Sequence, residues 1–363
     1  MHLILFFTRD LSLKDWDVTG NLSREIALYK RLLNLGINIT FITYGSNDDL
    51  KYKESLHGIT ILCNKWGLSN RYYSKYLHIL HWKALRNCHI IKTNQMNGAE
   101  LALKSALFWK KPLIARCGYM WSQFAEKENG PVEEIKQIEN NVFNLSRNIF
   151  VTTSRMKKNI INRLPQNLDK TIVIPNYVDT NIFKPNLNIN PKYEIIFIGR
   201  LSKQKNLKAL LYSIGRLNIR ALIIGNGPLR SCVEELIKKS EGKVKWFKSI
   251  PNSELPTFIN NAKIFILPSF YEGHPKTLIE AMSCGIPVIG ANSPGIKEII
   301  IHKENGYLCE LSLESIEKSI KYLINNPDLC LKLGENGRQY IIENFSLDQI
   351  VNQEVEVYNN IIN

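Results

Sequence analysis

The sequence predicts an α/β protein of two doubly wound, Rossmann-like domains, and three observations carry that prediction. Apolar runs of strand length alternate with helix-period segments along the chain, the pattern of parallel strands joined by helical crossovers. The alternation breaks once, at a stretch with little periodicity that begins at Pro175-Asn176, and then restarts. At 363 residues the chain is long enough for two domains of ordinary size, each burying its own core.

The first series opens with a strand at 2–7. An amphipathic helix follows at 20–35, its apolar face made by Leu22, Ile26, Tyr29, Leu32 and Leu33, and Gly36 stands where a helix would stop. The run 37–44 is the second strand, and 59–63, 88–92, 112–116, 148–152 and 171–174 read as further strands. Pro175, Pro185 and Pro191 punctuate the segment read as an interdomain linker. The second series starts with a strand at 193–198, a turn at Gly199-Arg200 and a helix at 206–217. A strand at 220–224 leads into Gly225-Asn226-Gly227-Pro228 and a helix to about Lys239. Strands are expected at 244–247, 262–267 and 287–290, with a helix at 277–284 between the last two. The resulting domains are 1–180 and 181–346, and the helical segment 347–363 is expected to cross back to the first domain.

Composition narrows the class. Hydrophobic residues make up 44% and charged residues 22%, which is globular rather than disordered. No run of 18 apolar residues is present, so a membrane-spanning helix is not expected. The opening Met1-His2-Leu3-Ile4-Leu5-Phe6-Phe7 lacks the basic flank and cleavage site of a signal peptide and reads as a buried strand. The seven cysteines, at 63, 88, 117, 232, 284, 309 and 330, form no Cys-x-x-Cys pair. They read as reduced thiols of a cytoplasmic protein, and no metal site is expected.

The net charge of +14 is uneven: residues 51–118 hold 12 basic and 2 acidic residues. Tyr52, Trp66, Tyr72, Tyr73, Tyr76, Trp82, Phe108 and Trp109 interleave with them. This region fits a solvated basic face or an anionic membrane surface. No nucleic-acid motif accompanies the charge, and nucleic acid is not an expected partner.

Open α/β sheets bind ligands beyond the carboxyl ends of their strands, where loops enter helix N-termini. Two such loops carry chemistry. In Gly199-Arg200-Leu201-Ser202-Lys203-Gln204-Lys205-Asn206, Gly199 lets the backbone turn while Arg200 and Lys205 offer a guanidinium and an ammonium to a diphosphate. The second is Ser269-Phe270-Tyr271-Glu272-Gly273-His274-Pro275-Lys276-Thr277-Leu278-Ile279-Glu280, leading to Gly285. Gly273 permits close approach of a ligand to the backbone. Thr277 and Glu280 have the spacing of a capping box, which by itself would account for Glu280. Glu pairs eight apart also occur at 126/134 and 335/343, so spacing alone decides nothing. Only Glu272/Glu280 lies at a strand-to-helix turn.

The string EGHPKTLIEAMSCGIPVI resembles the Glu-x7-Glu signature of glycosyltransferase family 4, retaining enzymes of the GT-B fold. GRLSKQKN, GNGP, LPSFYEGHP, SPGIKEIIIHKENGYLC and IPNYVDTNIFKP extend the resemblance in order over about residues 171–310. The resemblance implies a nucleoside-diphosphate-sugar donor in an interdomain cleft and a glycan or lipid-linked acceptor, in surface polysaccharide or lipopolysaccharide synthesis. It implies that Arg200 and Lys205 neutralise the donor diphosphate, that Glu272 stands beside the sugar and that Glu280 binds the ribose hydroxyls. It places Gly199, Gly273 and the backbone of His274, Pro275, Lys276, Thr277 and Leu278 along the donor. Gly20 matches a first-domain loop glycine that closes over the pyrophosphate, and base contacts are expected near Ser249 to Asn252.

Two departures stand out. Thr19 precedes Gly20 where the family often has a second glycine, and Ile114-Ala115-Arg116-Cys117-Gly118-Tyr119 lacks the family's common His. Arg116 or Tyr119 is the expected substitute there. The implied transfer needs no divalent metal and no cofactor beyond the sugar nucleotide. The rival readings are a non-catalytic sugar-nucleotide or glycan-binding protein and an epimerase or phosphorylase of the same fold. The expected location is cytoplasmic, peripheral to the membrane if the basic region binds lipid.

Overall fold

In the structure, a computed structural model describing residues 1–362, the chain forms two units: Met1–Pro175 with the chain from Ile350, and Asn176–Gln349. The first unit is built on strands β1 (His2–Phe6), β2 (Asn38–Ile42), β3 (Ile59–Leu62), β4 (Ile90–Thr93), β5 (Leu113–Cys117), β6 (Asn148–Val151) and β7 (Thr171–Val173). They make one sheet in the order β3-β2-β1-β4-β5-β6-β7, every pairing parallel. Parallel strands need crossovers, and these are α1 (Leu13–Val18), α2 (Leu22–Asn34), α3 (Asn70–Leu80), α4 (Trp82–Asn87) and α5 (Ala99–Trp109). The series continues with α6 (Trp121–Lys127), α7 (Val132–Leu145) and α8 (Ser154–Arg163). Helix α2 buries Ile26, Leu28, Tyr29 and Leu32, and Gly36 adopts φ +80° just past its end. A side chain there would be strained, which explains the glycine as a helix stop.

The second unit carries β8 (Tyr193–Ile198), β9 (Ala221–Ile224), β10 (Val244–Phe247), β11 (Ala262–Leu267), β12 (Val288–Ala291) and β13 (Tyr307–Cys309). Their order is β10-β9-β8-β11-β12-β13, again wholly parallel. The helices are α9 (Leu207–Leu217), α10 (Arg230–Lys239), α11 (Leu255–Asn260), α12 (Lys276–Ser283), α13 (Leu313–Ile324) and α14 (Pro327–Phe345). Helix α15 (Leu347–Ile362) ends the described chain. Strand β13 and helices α13 and α14 extend beyond the elements read from the sequence.

Two sequence expectations change here. The stretch read as a linker is built into the second unit: Val178 bridges to Ser346, and Val178 and Phe183 sit in that unit's hydrophobic core. Its prolines break periodicity, yet its apolar side chains are buried in sequence-distant company, which local patterning does not register. The 206–217 helix begins at Leu207, because Asn206 takes a left-handed φ of +50° and gives its amide to the Leu311 carbonyl at 2.9 Å.

Within the first unit, α15 returns to the sheet through a buried polar contact. Lys92 on β4 donates to Glu354 at 2.5 Å and to the Tyr358 hydroxyl at 3.2 Å, and Tyr358 donates to Glu354. All three side chains are essentially inaccessible. The rings of Tyr29, Phe150 and Tyr358 lie 5.6–5.8 Å from the ammonium. Burial pushes the Lys92 pKa down to about 8, partly countered by Glu354.

Candidate active site

The second sheet reverses its winding between β8 and β11: β9 and β10 follow on one side, β12 and β13 on the other. Register pairs Ile195 with Ile264 and Ile196 with Phe265, so the carboxyl ends of the two strands emerge side by side. A topological switch point of this kind opens a crevice at the sheet edge. Both chemistry-bearing loops leave from it.

The loop after β8 is fixed by close backbone packing. Gly199 donates to Ile224, Leu201 to Asn226 and Leu229 to Leu201, at 2.9–3.0 Å. A Cβ on Gly225, at φ +142°, would lie 1.9 Å from the Gly199 carbonyl oxygen. One on Gly227 would lie 2.5 Å from that of Leu201. The GNGP glycines are thus required by the approach of one loop backbone to the next.

Beyond Gly199, residues Lys203–Lys205 make a single 3₁₀ turn. Its Gln204 holds the β11 loop from both directions: the Phe270 N–H donates to the Gln204 carbonyl at 2.9 Å, and the Gln204 amide donates to the Tyr271 carbonyl at 2.8 Å. This clamp brings Lys205 against Glu272, Nζ to Oε1 2.5 Å, with side chains only 15% and 9% exposed. An ion pair so shielded from water interacts more strongly than a surface pair. Arg200 is exposed, at the start of the same loop.

The β11 loop is supported from the β12 side. The Glu272 N–H donates to the Pro294 carbonyl at 2.9 Å, and Ser293 Oγ donates to the Ser269 carbonyl at 2.7 Å. Gly295, at φ +84°, has no room for a side chain: a Cβ would sit 2.5 Å from the Glu272 carbonyl oxygen. The His274 ring is buried edge-on against Phe345 at 4.9 Å, and its carbonyl accepts from the Asn176 amide at 2.7 Å.

Helix α12 corrects a sequence expectation. Its N-cap is Pro275, Thr277 lies inside the first turn, and no side chain caps the end. Glu280 is buried and accepts from the Asn252 amide at 2.8 Å. The Thr-x-x-Glu spacing is present without the capping box, because the helix starts two residues earlier than that motif requires. Asn252, buried in the loop after β10, is the residue that sequence reasoning did not single out as Glu280's support. No local signal marks it; only the fold brings 252 to 280.

Leu278 is fully buried, and Lys276 and Thr277 are half-buried at the helix start. The structure thus gathers Gly199, Arg200, Lys205, Glu272, Gly273, the 274–278 backbone and Glu280 on one sheet edge. Gly20 lies in the first unit, at φ +72°, donating to the Asp17 carbonyl at 2.8 Å just past α1. Also in that unit, the Arg116 N–H donates to Thr93 Oγ1 at 2.9 Å, and Tyr119 packs on Phe124 at 4.8 Å. Burial raises the Tyr119 pKa, so its hydroxyl is a neutral hydrogen-bonding group.

Residues 178–340 match the family of glycosyl transferases group 1, and residues 26–182 match Glycosyltransferase Family 4. Both stretches are thus similar to glycosyltransferase families. An uncharacterized glycosyltransferase of Haemophilus influenzae is 35% identical over 136 residues, covering 36% of this chain and 37% of that one. The chain spans 37%, 61% and 58% of the length of three of the curated relatives it matches. Among solved structures, sucrose-phosphate synthase from Thermosynechococcus elongatus superposes with a TM-score of 0.81 at 18% identity, over 99% of each chain. Anabaena HepE in complex with UDP and glucose gives 0.78 at 16% identity, also over 99% of each. At these identities the likeness is one of fold, and the fold of both units is that of GT-B glycosyltransferases. Further relatives are named for capsular polysaccharide synthesis and for the lipopolysaccharide outer core.

Proposed function

We propose that this chain is a retaining glycosyltransferase that moves a hexosyl group from a nucleoside-diphosphate-sugar to a glycan or lipid-linked acceptor in surface polysaccharide or lipopolysaccharide assembly. The observation that carries the reading is the Lys205–Glu272 pair, held beside Arg200 and the start of α12 at the sheet's switch point. An ammonium, a guanidinium and helix N–H groups together suit a diphosphate. The acid beside them suits the positive charge that develops on a sugar as it departs. HepE, whose structure holds UDP and glucose, supports a sugar nucleotide as the class of donor.

In this reading the bond from the anomeric carbon to the donor phosphate breaks, and the electron pair leaves on the phosphate. Arg200, Lys205 and the α12 N–H groups stabilise that charge, so transfer proceeds without a divalent metal. The acceptor oxygen attacks from the same face, and its proton passes to the departing phosphate. Glu272 stabilises the oxocarbenium-like sugar, and Glu280, steadied by Asn252, receives the ribose hydroxyls. Before a donor arrives Lys205 is engaged by Glu272, so donor binding exchanges one anion for another on the same ammonium.

The test is nucleoside-diphosphate release from UDP-, GDP-, ADP- and dTDP-sugars in EDTA, with and without a membrane extract as acceptor. Release from one donor, raised by the extract and lost in Glu272→Ala, is expected. Release that survives Glu272→Ala, or that requires added metal, overturns this mechanism. Donor binding without turnover in any extract makes the chain a sugar-nucleotide-binding protein instead.

A further inference from the structure

Within the basic, aromatic region 51–118, Tyr73 and Lys92 are buried, whereas helices α3, α4 and α5 carry exposed aromatic and basic side chains. Along α3, Tyr72, Tyr76 and Ile79 are exposed at helical spacing, on the side away from the buried Tyr73 and Leu77. Helix α5 lies alongside: Trp109 Nε1 donates to the His78 carbonyl at 2.8 Å, and Lys104 Nζ donates to the Lys75 carbonyl at 3.1 Å. Phe108 packs on His78 at 5.2 Å, yet is 57% exposed. Trp82 opens α4 and is also exposed. Such a set of large apolar groups on one face marks an interaction surface.

Its charges choose the partner. Helices α3 and α4 contain no Asp or Glu, whereas Arg71, Lys75, Lys83 and Arg86 are exposed on them. Two acids outside these helices are already engaged: Glu100 pairs with Arg9, and Asp10 accepts from the amide of Asn70 at the start of α3 at 2.8 Å. Three exposed aromatics each carry a lysine ammonium over the ring: Lys65 on Trp66 at 5.2 Å, Lys75 on Tyr76 at 5.4 Å and Lys83 on Trp82 at 5.8 Å. Aromatic rings flanked by ammonium groups match the boundary of a bilayer, where rings sit at the headgroup level and cations meet phosphates. A second copy of this face would set like charge against like charge, which disfavours a homodimer here.

We propose that the α3–α4–α5 face docks this protein on an anionic lipid bilayer, with Tyr76, Ile79, Trp82 and Phe108 entering the interface and Arg71, Lys75, Lys83 and Arg86 meeting the headgroups. The surface uses first-unit residues only and is independent of the transfer reading. Tethering there would bring a lipid-linked acceptor to the enzyme by confinement to the same surface.

The test is cosedimentation of the full chain with phosphatidylcholine vesicles lacking or containing phosphatidylglycerol, at about 0.1 and 0.5 M salt. Wild type is expected to bind the anionic vesicles alone and to weaken at least about tenfold at the higher salt. Tyr76→Ala/Trp82→Ala and Lys75→Glu/Lys83→Glu are each expected to weaken it about tenfold or more, with unchanged melting and unchanged nucleoside-diphosphate release in detergent solution. Binding indifferent to lipid charge, or undiminished in both variants, overturns the proposal. A dimer in light scattering that Tyr76→Ala/Trp82→Ala dissociates assigns the face to a second copy and overturns it too. Loss of release in wild type alongside intact docking would reject the transfer reading and leave this one standing.

Discussion

Glu272 and Lys205 occupy each other in a pocket of low exposure, so each substitution there acts on two groups at once. Glu272→Gln removes the competing anion while keeping the shape. If the donor diphosphate takes Lys205 away from Glu272, this variant binds a nucleoside diphosphate at least as tightly as wild type, although turnover falls about 10²–10³-fold. Calorimetry against release assays separates the two effects, and binding weakened along with turnover would show that Glu272 organises the phosphate site. Gly295 poses a backbone question instead. Its left-handed φ and the 2.5 Å approach to the Glu272 carbonyl make Gly295→Ala costly, by about 1–3 kcal/mol in urea unfolding, with activity reduced because the Glu272 loop must shift. A variant as stable and active as wild type would remove that account of the glycine.

Elements in the first unit are joined by buried polar contacts that carry a pH signature. The Tyr73 hydroxyl lies 3.0 Å from the Thr43 carbonyl and 2.7 Å from His81 Nε2. With its single proton given to the carbonyl, the tyrosine accepts from His81, whose Nε2 therefore carries a proton. Burial, aided by the nearby Lys65, lowers the His81 pKa to about 4. The unfolded chain binds this proton first as pH falls, so the contribution is complete above about pH 6.5 and lost on the way to 4. The loss is about 3 kcal/mol, and His81→Gln, which retains a donor for Tyr73, is expected to flatten it. Urea midpoints at pH 7 and pH 4.5 measure the difference, and an equal acid loss in the variant would place the titration elsewhere.

At the scale of the molecule, the chain begins and ends in the same unit, and the return is made by α15 over Lys92, Glu354 and Tyr358. Such a buried pair is expensive to break and cheap to replace whole. Lys92→Met leaves Glu354 buried without its cation and is expected to cost about 3–5 kcal/mol in urea unfolding. Lys92→Met/Glu354→Leu is expected to recover most of that. A double variant as unstable as the single one would mean that the pair's specific geometry, rather than charge compensation, holds α15 in place.

Much of this was legible along the chain. The strands 193–198 and 262–267 each end in four consecutive buried apolar residues, and such runs announce themselves. Gly199, Gly225 and Gly227 likewise mark the loops where backbone meets backbone. The sequence by itself therefore determined two parallel α/β units and the loops on which Arg200, Lys205, Glu272 and Glu280 stand. Tertiary structure alone decided what those residues meet. Glu280 was compatible with a capping box until the fold supplied Asn252, and the Pro-rich stretch after 175 was compatible with a linker until Val178 and Phe183 found the core. Lys92 lies in an apolar strand with nothing nearby to explain a charge, and its partners come 262 and 266 residues later. The reason is physical: periodicity records which face of an element is buried, whereas a buried polar group is satisfied by whichever distant segment the topology brings to it.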